Sequence, residues 1–332
     1  MKTESERVLT PKDVFRLVES DLEEVERRLR GEAQSSLSLV NDINRYLHDS
    51  GGKRLRPAIL LLTSKLCGLN GDPVILLGAV VELIHVATLV HDDIIDNSRV
   101  RRGQPSVNAK WGSEITVLMG DWLYMTSFHV ALQQRDFRIL DVLISITRQM
   151  VEGELMQLEH KGRLDITEEE QLEICLRKTA CLFSGCGRMS GIMAKLDPER
   201  EEKLSLYGRS LGLAFQLVDD LLDYTGQTSV LGKPALKDLE EGKVTLPIIF
   251  LMRKAKSSER DFVGEVVESQ DFSKRNKREI LRLINAYDTL AEVRAIAERY
   301  ASEAKQCLAD FPDSIYREAL LSVPELVLSR RK

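Results

Sequence analysis

Two acidic segments stand out in this chain, and each of them closes a long apolar run. They are HDDIID at residues 91–96 and VDDLLD at residues 218–223, and their aspartates have the same spacing. Residues four apart share one face of an α-helix, so the first and last aspartates of each segment point the same way. Clustered carboxylates repel one another unless cations hold them together. Two such helix ends, facing each other, predict a metal site with these candidate ligands: Asp92, Asp93, Asp96, Asp219, Asp220 and Asp223.

The metal that this donor set favours is Mg²⁺, which takes oxygen ligands and is usually held by one or two carboxylates plus substrate phosphates. One acidic segment alone is as readily a solvated helix end as a metal site. Two copies, each behind an apolar run and near basic residues, favour the metal. An EF-hand is excluded because the order D-x-D-x-D-G is absent.

Composition and pattern predict a single all-α domain over residues 1–332. The chain is 43% hydrophobic, which is ample for a core, and its net charge of -5 gives no reason to expect a nucleic-acid partner. Apolar residues recur at helical spacing, and we find neither sustained alternation with sheet-type turns nor a linker. The five cysteines form no CxxC pair and the N-terminus lacks an apolar core, so we expect reduced thiols and a cytoplasmic protein.

Local signals place several helix ends. Thr10-Pro11-Lys12-Asp13 predicts a helix start, and that helix is expected to continue to Gly31. Asp72-Pro73 is expected to cap the helix that ends in the first acidic segment, a buried core helix rather than a membrane span. A capping box at Thr167-Glu168-Glu169-Glu170 starts the helix that contains Lys178.

Basic residues supply the second component of the predicted site. A glycine-flanked turn at 51–57 carries three cations, and two arginines follow the first acidic segment. Arginine can bind phosphate oxygens in bidentate fashion. Acidic and basic segments together predict a pocket for two polyanionic substrates, one bound through metal ions and the other directly by cations. The basic candidates are Lys53, Arg56, Arg101 and Arg102.

Other residues give weaker signals. His85 lies on a face of the apolar helix similar to that of Asp92, but a lone histidine there is more often a hydrogen-bonded core residue. Individually weak candidates are Lys178, Thr179, Gln216, Lys233 and Lys243, the last two beside glycines that permit close approach of a ligand.

Taken together, these segments make the chain resemble a trans-prenyl diphosphate synthase over about residues 51 to 247. The motifs that carry the resemblance are GGKRLRP (51–57), HDDIIDNSRVRRG (91–103), GDWLY (120–124), Lys178-Thr179, FQLVDDLLD (215–223) and GKPALKDLEEGKVTLP (232–247). The resemblance implies a one-domain antiparallel helix bundle around a central catalytic cavity, usually a homodimer. One departure is Leu236, where many relatives carry glycine, which leaves the geometry of this loop open.

The resemblance also implies roles for the candidates. The six aspartates would hold Mg²⁺ and an allylic diphosphate, with Lys178 also among the catalytic residues. The allylic diphosphate would also be lined by Arg101, Lys178, Thr179, Gln216, Lys233 and Lys243. Isopentenyl diphosphate would be bound by Lys53, Arg56, His85 and Arg102, which overrules the core interpretation of His85. The implied reaction ionises the allylic C–O bond, adds the double bond of isopentenyl diphosphate to the cation and removes a proton.

The helix before Asp92 acts as a ruler for product length. One helical turn rises about 5.4 Å, comparable with one five-carbon unit. The positions one and two turns deeper are Thr88, Ala87 and Ile84, none of which is aromatic. Members that resemble short-chain synthases place Phe or Tyr there, so we expect a long, hepta- to decaprenyl product, consistent with a quinone side chain. The cavity floor is expected from Phe128, Leu140 and Leu143.

Competing hypotheses remain at this point. The nearest is a short-chain farnesyl or geranylgeranyl synthase. A terpene cyclase is disfavoured by the second all-aspartate motif, and a non-catalytic subunit of a heteromeric synthase by the presence of both acidic segments. A purely structural scaffold leaves the clustered aspartates unexplained. Transient contact with a membrane surface is compatible with release of so apolar a product, although no amphipathic anchor is found.

Overall fold

The computed structural model describes residues 9–225 and 235–330, and nearly all regular structure in these ranges is helical, which confirms the all-α prediction. The helices are α1 (Pro11–Arg16), α2 (Glu19–Glu32), α3 (Ser38–Asp49), α4 (Leu55–Leu66), α5 (Asp72–Ile95), α6 (Val107–Trp111), α7 (Ser113–Leu132), α8 (Phe137–Glu159), α9 (Glu168–Cys175), a π-helical turn (Leu176–Ala180), α10 (Cys181–Met193), α11 (Pro198–Thr225), α12 (Lys237–Glu240), α13 (Leu246–Lys254), α14 (Ser257–Ser269), α15 (Lys274–Ala286), α16 (Thr289–Gln306) and α17 (Ile315–Leu328).

Two features of this order differ from the sequence expectations. The helix predicted from Thr10 to Gly31 is two helices, because the backbone of buried Val18 leaves the helical region at φ -128°, ψ 15°. A two-stranded antiparallel ribbon, β1 (Val100–Arg101) with β2 (Gln104–Pro105), also follows the first acidic segment. Pairs this short leave no alternating pattern in the sequence to detect.

The chain is divided into two compact units, each built from three separate segments. The first comprises Met1–Thr147, Gly185–Ser205 and Asp310–Ser322. The second comprises Arg148–Ser184, Leu206–Ala309 and Val323–Lys332. The single domain expected over residues 1–332 stays a prediction.

Helix α5 is the centre of the first unit and packs against α2, α4 and α7. Its N-cap is Gly71, one residue before the expected cap, because Asp72 already lies in the first helical turn. By length and composition α5 would suffice to cross a membrane, but 72% of its most apolar window is buried within the protein, as expected of a core helix. The apolar run therefore ends with the acidic segment at the helix terminus.

In the second unit, α11 lies close to the π-helical turn and α10 because glycines remove the side chains between them. A Cβ on Gly212 would lie 2.5 Å from Cα of Ala180, closer than a side chain can approach. A Cβ on Gly208 would overlap the carbonyl of Phe183. The second acidic segment is thereby carried on a helix that packs against the turn containing Lys178 and Thr179.

Candidate active site

The first acidic segment forms the last turn of α5, and its aspartates divide between two faces. Asp96 is the C-cap residue, and its N–H donates to the carbonyl of Asp92 at 2.8 Å. Asp93 is 2% exposed and accepts a hydrogen bond from Arg101 Nε at 2.7 Å. Burial raises the pKa of Asp93, and the Arg101 guanidinium opposes that rise. Asp92 and Asp96 thus share the face that suits a metal, whereas Asp93 fixes Arg101.

His91 fastens this helix end to α7. Its Nε2 lies 3.1 Å from the carbonyl of Val117 and 3.5 Å from Asp121 Oδ1. The ring lies directly over Gly120, where any Cβ would overlap it. The GDWLY motif therefore acts by leaving space for His91. Spacing along the sequence gave no signal of this contact.

Two of the residues expected to bind isopentenyl diphosphate meet in the first unit. Arg56 Nη1 lies 3.1 Å from His85 Nε2. Burial, followed by the charges of Arg56 and Arg102, lowers the pKa of His85 well below its ordinary value, so the imidazole is neutral at neutral pH. Lys53 and Arg102 are exposed, on the turn before α4 and directly after β1.

A cavity of about 660 Å³ in the first unit is lined in part by Arg102, but not by Lys53, Arg56 or His85. Its charged wall includes Asp93, Arg101 and Arg102, and its apolar wall includes Val86 and Leu89 of α5. The ruler positions of α5 lie elsewhere on the helix: Ile84 and Ala87 are fully buried, and Thr88 Oγ1 donates to the carbonyl of His85 at 2.7 Å. Of the expected floor residues, Leu143 is buried, and Phe128 and Leu140 are half-buried.

The second acidic segment is held by a chain of side chains. Thr179 Oγ1 donates to Gln216 Oε1, and Gln216 Nε2 donates to Asp220 Oδ1, each at 2.7 Å. The other oxygen of Asp220, Oδ2, is buried and has no hydrogen-bond partner among the described residues. Burial, with the nearby charges of Asp238 and Asp219, raises the pKa of Asp220 well above its ordinary value. This carboxylate lacks a compensating cation in the part of the chain that the structure describes.

Asp223 is held by backbone instead. Its carboxylate accepts the N–H groups of Lys237 at 3.1 Å and Asp238 at 3.2 Å. Both donors follow Leu236, which is fully buried and adopts a left-handed backbone with φ +63°. This is the conformation that glycine adopts without strain, so the departure from glycine has a structural consequence. Burial and Asp223 raise the pKa of Asp238 to about 7.

The expected lysines contact nearby polar groups. Lys178, on the π-helical turn, lies with Nζ 2.5 Å from Glu154 and 3.2 Å from Gln157. Such turns are frequent at functional sites. Lys243 Nζ lies 2.8 Å from Glu241. Lys233 lies outside the described residues.

Arg330 is a residue that the sequence patterns missed. Its Nη2 donates to Asp219 Oδ1 at 3.3 Å, and its guanidinium lies 4.5 Å from the ring centroid of Phe215. Asp219 is otherwise exposed. More than a hundred residues separate Arg330 from the acidic segment, so no local signal could have indicated this pair.

The aspartates of the two acidic segments can be compared with the ligands that a divalent cation needs. In residues 9–225 and 235–330, no cluster of three or more His, Cys, Asp or Glu is arranged to hold a metal ion alone. Mg²⁺ needs fewer protein ligands, since substrate phosphates and water complete its coordination. The buried Oδ2 of Asp220, among neighbouring carboxylates, is the kind of group that a cation would stabilise.

The chain matches a known protein family and is similar to known proteins in both sequence and structure. Residues 38–284 match the family described as polyprenyl synthetase. An octaprenyl diphosphate synthase of Escherichia coli is 36% identical over 95% of this chain and 97% of its own length. The structure of a polyprenyl synthase from Caulobacter crescentus, complexed with calcium and isoprenyl diphosphate, has a TM-score of 0.92 at 35% identity, covering 98% of this chain and 99% of that one. A decaprenyl diphosphate synthase from Rhodobacter capsulatus has a TM-score of 0.92 at 34% identity, with 97% and 99% covered.

Proposed function

The chain belongs to the polyprenyl synthetase family, and on this premise we propose how its residues perform a prenyl transfer. It is a long-chain trans-prenyltransferase that condenses isopentenyl diphosphate with an allylic diphosphate. The observation that carries this conclusion is the pair of acidic helix ends with the same spacing, joined to cation motifs in the family's order. The family match and the similarity to an octaprenyl diphosphate synthase confirm the prenyl synthase resemblance.

A divalent metal serves this reaction, and we propose Mg²⁺ as that metal. Asp92 and Asp96 of the first segment, with Asp219, Asp220 and Asp223 of the second, would hold it, and Asp93 would act by fixing Arg101. When bound, the ion draws charge from the leaving diphosphate.

The basic and polar residues form two groups, one for each substrate. Arg101, Lys178, Thr179, Gln216, Lys233 and Lys243 would orient the allylic diphosphate, and Lys53, Arg56, His85 and Arg102 would bind isopentenyl diphosphate. A neutral His85 donates or accepts one hydrogen bond without adding charge. No strong protein base lies in the motifs, so the departing diphosphate accepts the proton. The apolar helices exclude water that would quench the allylic cation.

We propose that small side chains on α5 permit the long product, one suited to a quinone side chain. Ala87 and Thr88 lie one turn before Asp92, where an aromatic residue would block growth. Replacing Ala87 with Tyr is expected to shorten the product sharply, as measured by chain-length separation after dephosphorylation. A product of unchanged length would refute the hypothesis that side-chain size at this position of α5 limits chain growth.

We also propose a homodimer in the cytoplasm, with transient membrane contact during product release. Exposed apolar residues recur at every seventh position on two helices, the spacing of a helix–helix seam. They are Leu118, Met125 and Leu132 on α7, and Phe137, Ile144, Val151 and Leu158 on α8. A second copy of the chain is the occupant that such self-complementary stripes favour. Sedimentation of the purified protein tests this, and a monomer would contradict it.

The decisive experiment is turnover of labelled isopentenyl diphosphate with farnesyl diphosphate and Mg²⁺. We expect a ladder ending in long-chain products and its loss in the Asp92→Ala variant with the fold intact. A product that stops after one or two additions would retain the enzyme class but favour a short-chain synthase. A folded wild-type protein without turnover would favour a non-catalytic subunit.

A further inference from the structure

A buried carboxylate lies among the cations of the first unit that are expected to bind isopentenyl diphosphate. Glu82 of α5 is 3% exposed and accepts a hydrogen bond from Arg54 Nη1 at 2.5 Å. The same guanidinium also pairs with Glu26 of α2. Neither Glu82 nor Arg54 has a role in the proposed function. Arg54 nevertheless lies inside the GGKRLRP turn, between Lys53 and Arg56.

The backbone at Arg54 is in a strained conformation. Its φ of +47° and ψ of +33° are left-handed, and it is the residue that precedes α4. A non-glycine residue in this region is strained and persists only where its surroundings hold it in place. The side-chain pairs with Glu82 and Glu26 hold Arg54 in this way. The turn that joins Lys53 to the helix carrying Arg56 is therefore set by a side-chain anchor.

The same carboxylate also compensates the charge of a second cation. Both guanidiniums, of Arg54 and Arg102, crowd Gly52: a Cβ there would lie 2.8 Å from Arg54 Nη1 and 3.1 Å from Arg102 Nη1. Burial and the charge of Arg54 lower the pKa of Arg102, while Glu82 acts in the opposite direction. Without the negative charge of Glu82, these two arginines would repel each other in a partly desolvated place. Glu82 thus permits Arg102 to remain beside the turn.

We propose that the Glu82–Arg54 pair is a positioning element for isopentenyl diphosphate, which sets the turn between Lys53 and Arg56 and holds Arg102 beside it. In this proposal the pair acts through the turn and through Arg102 rather than as a ligand of the substrate. The inference rests on the proposed function in that these cations bind isopentenyl diphosphate. It connects three segments: the GGKRLRP turn, the ribbon end that carries Arg102, and α5, where His85 lies one turn beyond Glu82.

A purely structural role makes a different prediction. Removing one partner of a buried ion pair leaves the other charge uncompensated, so in a purely structural role its loss would lower the melting temperature and leave the substrate constants unchanged. A positioning role changes the affinity for one substrate selectively. Steady-state kinetics with each substrate varied in turn, combined with calorimetric binding of isopentenyl diphosphate alone, separates the two.

The principal variant is Glu82→Gln, which keeps the shape and removes the charge. We expect the KM and Kd for isopentenyl diphosphate to rise about tenfold. The KM for farnesyl diphosphate and kcat should change less than about threefold, since transition-state contacts are retained. Glu201→Gln is the matched control, because Glu201 is also a buried carboxylate but pairs with Arg138 and Arg188 rather than with a residue of the GGKRLRP turn. It should change the same constants less than about twofold, even if it lowers the melting temperature.

Two further variants keep the test informative if Glu82→Gln folds poorly. Arg54→Lys retains the charge but loses the planar fork, so a smaller selective rise in the same KM is expected. The double variant Arg54→Gln/Glu82→Gln should resemble the worse single variant, because residues that act as a unit are not additive. A folded Glu82→Gln protein with unchanged Kd, or with both substrate constants raised equally, would overturn the proposal. Wild-type binding without turnover would count against the proposed function alone, since the Kd comparison still decides the role of the pair.

Discussion

The ends of α5 and α11 carry the same acidic spacing but are stabilised differently. At the first end, buried Asp93 is paired with Arg101, and His91 fastens the helix to α7. At the second end, Asp220 is buried with one oxygen unpartnered among the described residues, and neighbouring carboxylates raise its pKa further. Asp93 of the first end therefore has a protein cation as its partner, whereas Asp220 of the second end has none among the described residues. Two segments with the same aspartate spacing can therefore differ in how their carboxylate charges are compensated.

The largest effect is expected from disturbing the attachment of the first end. Gly120→Ala places a Cβ within the volume of the His91 ring, so the ring must leave its contacts with Val117 and Asp121, and the last turn of α5 loses this attachment. Displacements of about 1 Å in catalytic groups cost roughly a hundredfold in rate, and we expect a fall in turnover of that order. Gly264→Ala is the control, because a Cβ there meets no atom within 4 Å. Equal activity of the two variants would show that the attachment is unnecessary.

Neutralising one aspartate at each end should have opposite effects on the metal-free protein. Asp93→Asn leaves Arg101 without its charged partner and should lower the free energy of unfolding by about 2 kcal/mol, discounted because Arg101 is partly exposed. Asp220→Asn removes an uncompensated buried charge and should raise it by about 1 kcal/mol. Denaturant unfolding with a metal chelator present measures both. Shifts of the same sign would refute the proposed contrast.

A smaller effect concerns the left-handed residue beside Asp223. Leu236→Ala and Leu236→Gly both lose a fully buried side chain, so both should be destabilised. Glycine, however, relieves the strain at φ +63°, and the glycine variant should be more stable than the alanine variant by about 1 kcal/mol. Thermal melting of the pair tests this. The usual order, with alanine more stable, would show that the strain is absent in solution.

The smallest effect is a pH dependence of the second end. Because burial and Asp223 raise the pKa of Asp238 to about 7, the metal-free folded protein binds a proton that the unfolded chain has released. Stability should then decrease as pH rises toward 7, by less than about 1.4 kcal/mol per pH unit, and level off above it. Asp238→Asn should flatten this slope, whereas Asp261→Asn, on an exposed position of α14, should not. An unchanged slope in Asp238→Asn would exclude Asp238 as its source.

The sequence predicted the all-α class, the position of α5 as a buried core helix and the capping box at Thr167 correctly, because these depend on local periodicity and local hydrogen bonds. It failed at Val18, where the backbone of a buried residue leaves the helical region and divides the predicted helix in two. It also missed the short ribbon over residues 100–105, which has Arg102 in its turn. Neither feature follows from the local patterns used for the prediction.

For the candidate site, the residue types and their order could be read from the sequence alone, since the motifs contain the carboxylates and cations. The side chains that these residues contact could not be predicted in this way. The pairs Glu82–Arg54 and Asp219–Arg330 join residues 28 and 111 positions apart, and the fit of His91 over Gly120 joins two helices. Such contacts decide which aspartate has a charged partner and which has none, because burial and the distance between charges exist only in the folded chain.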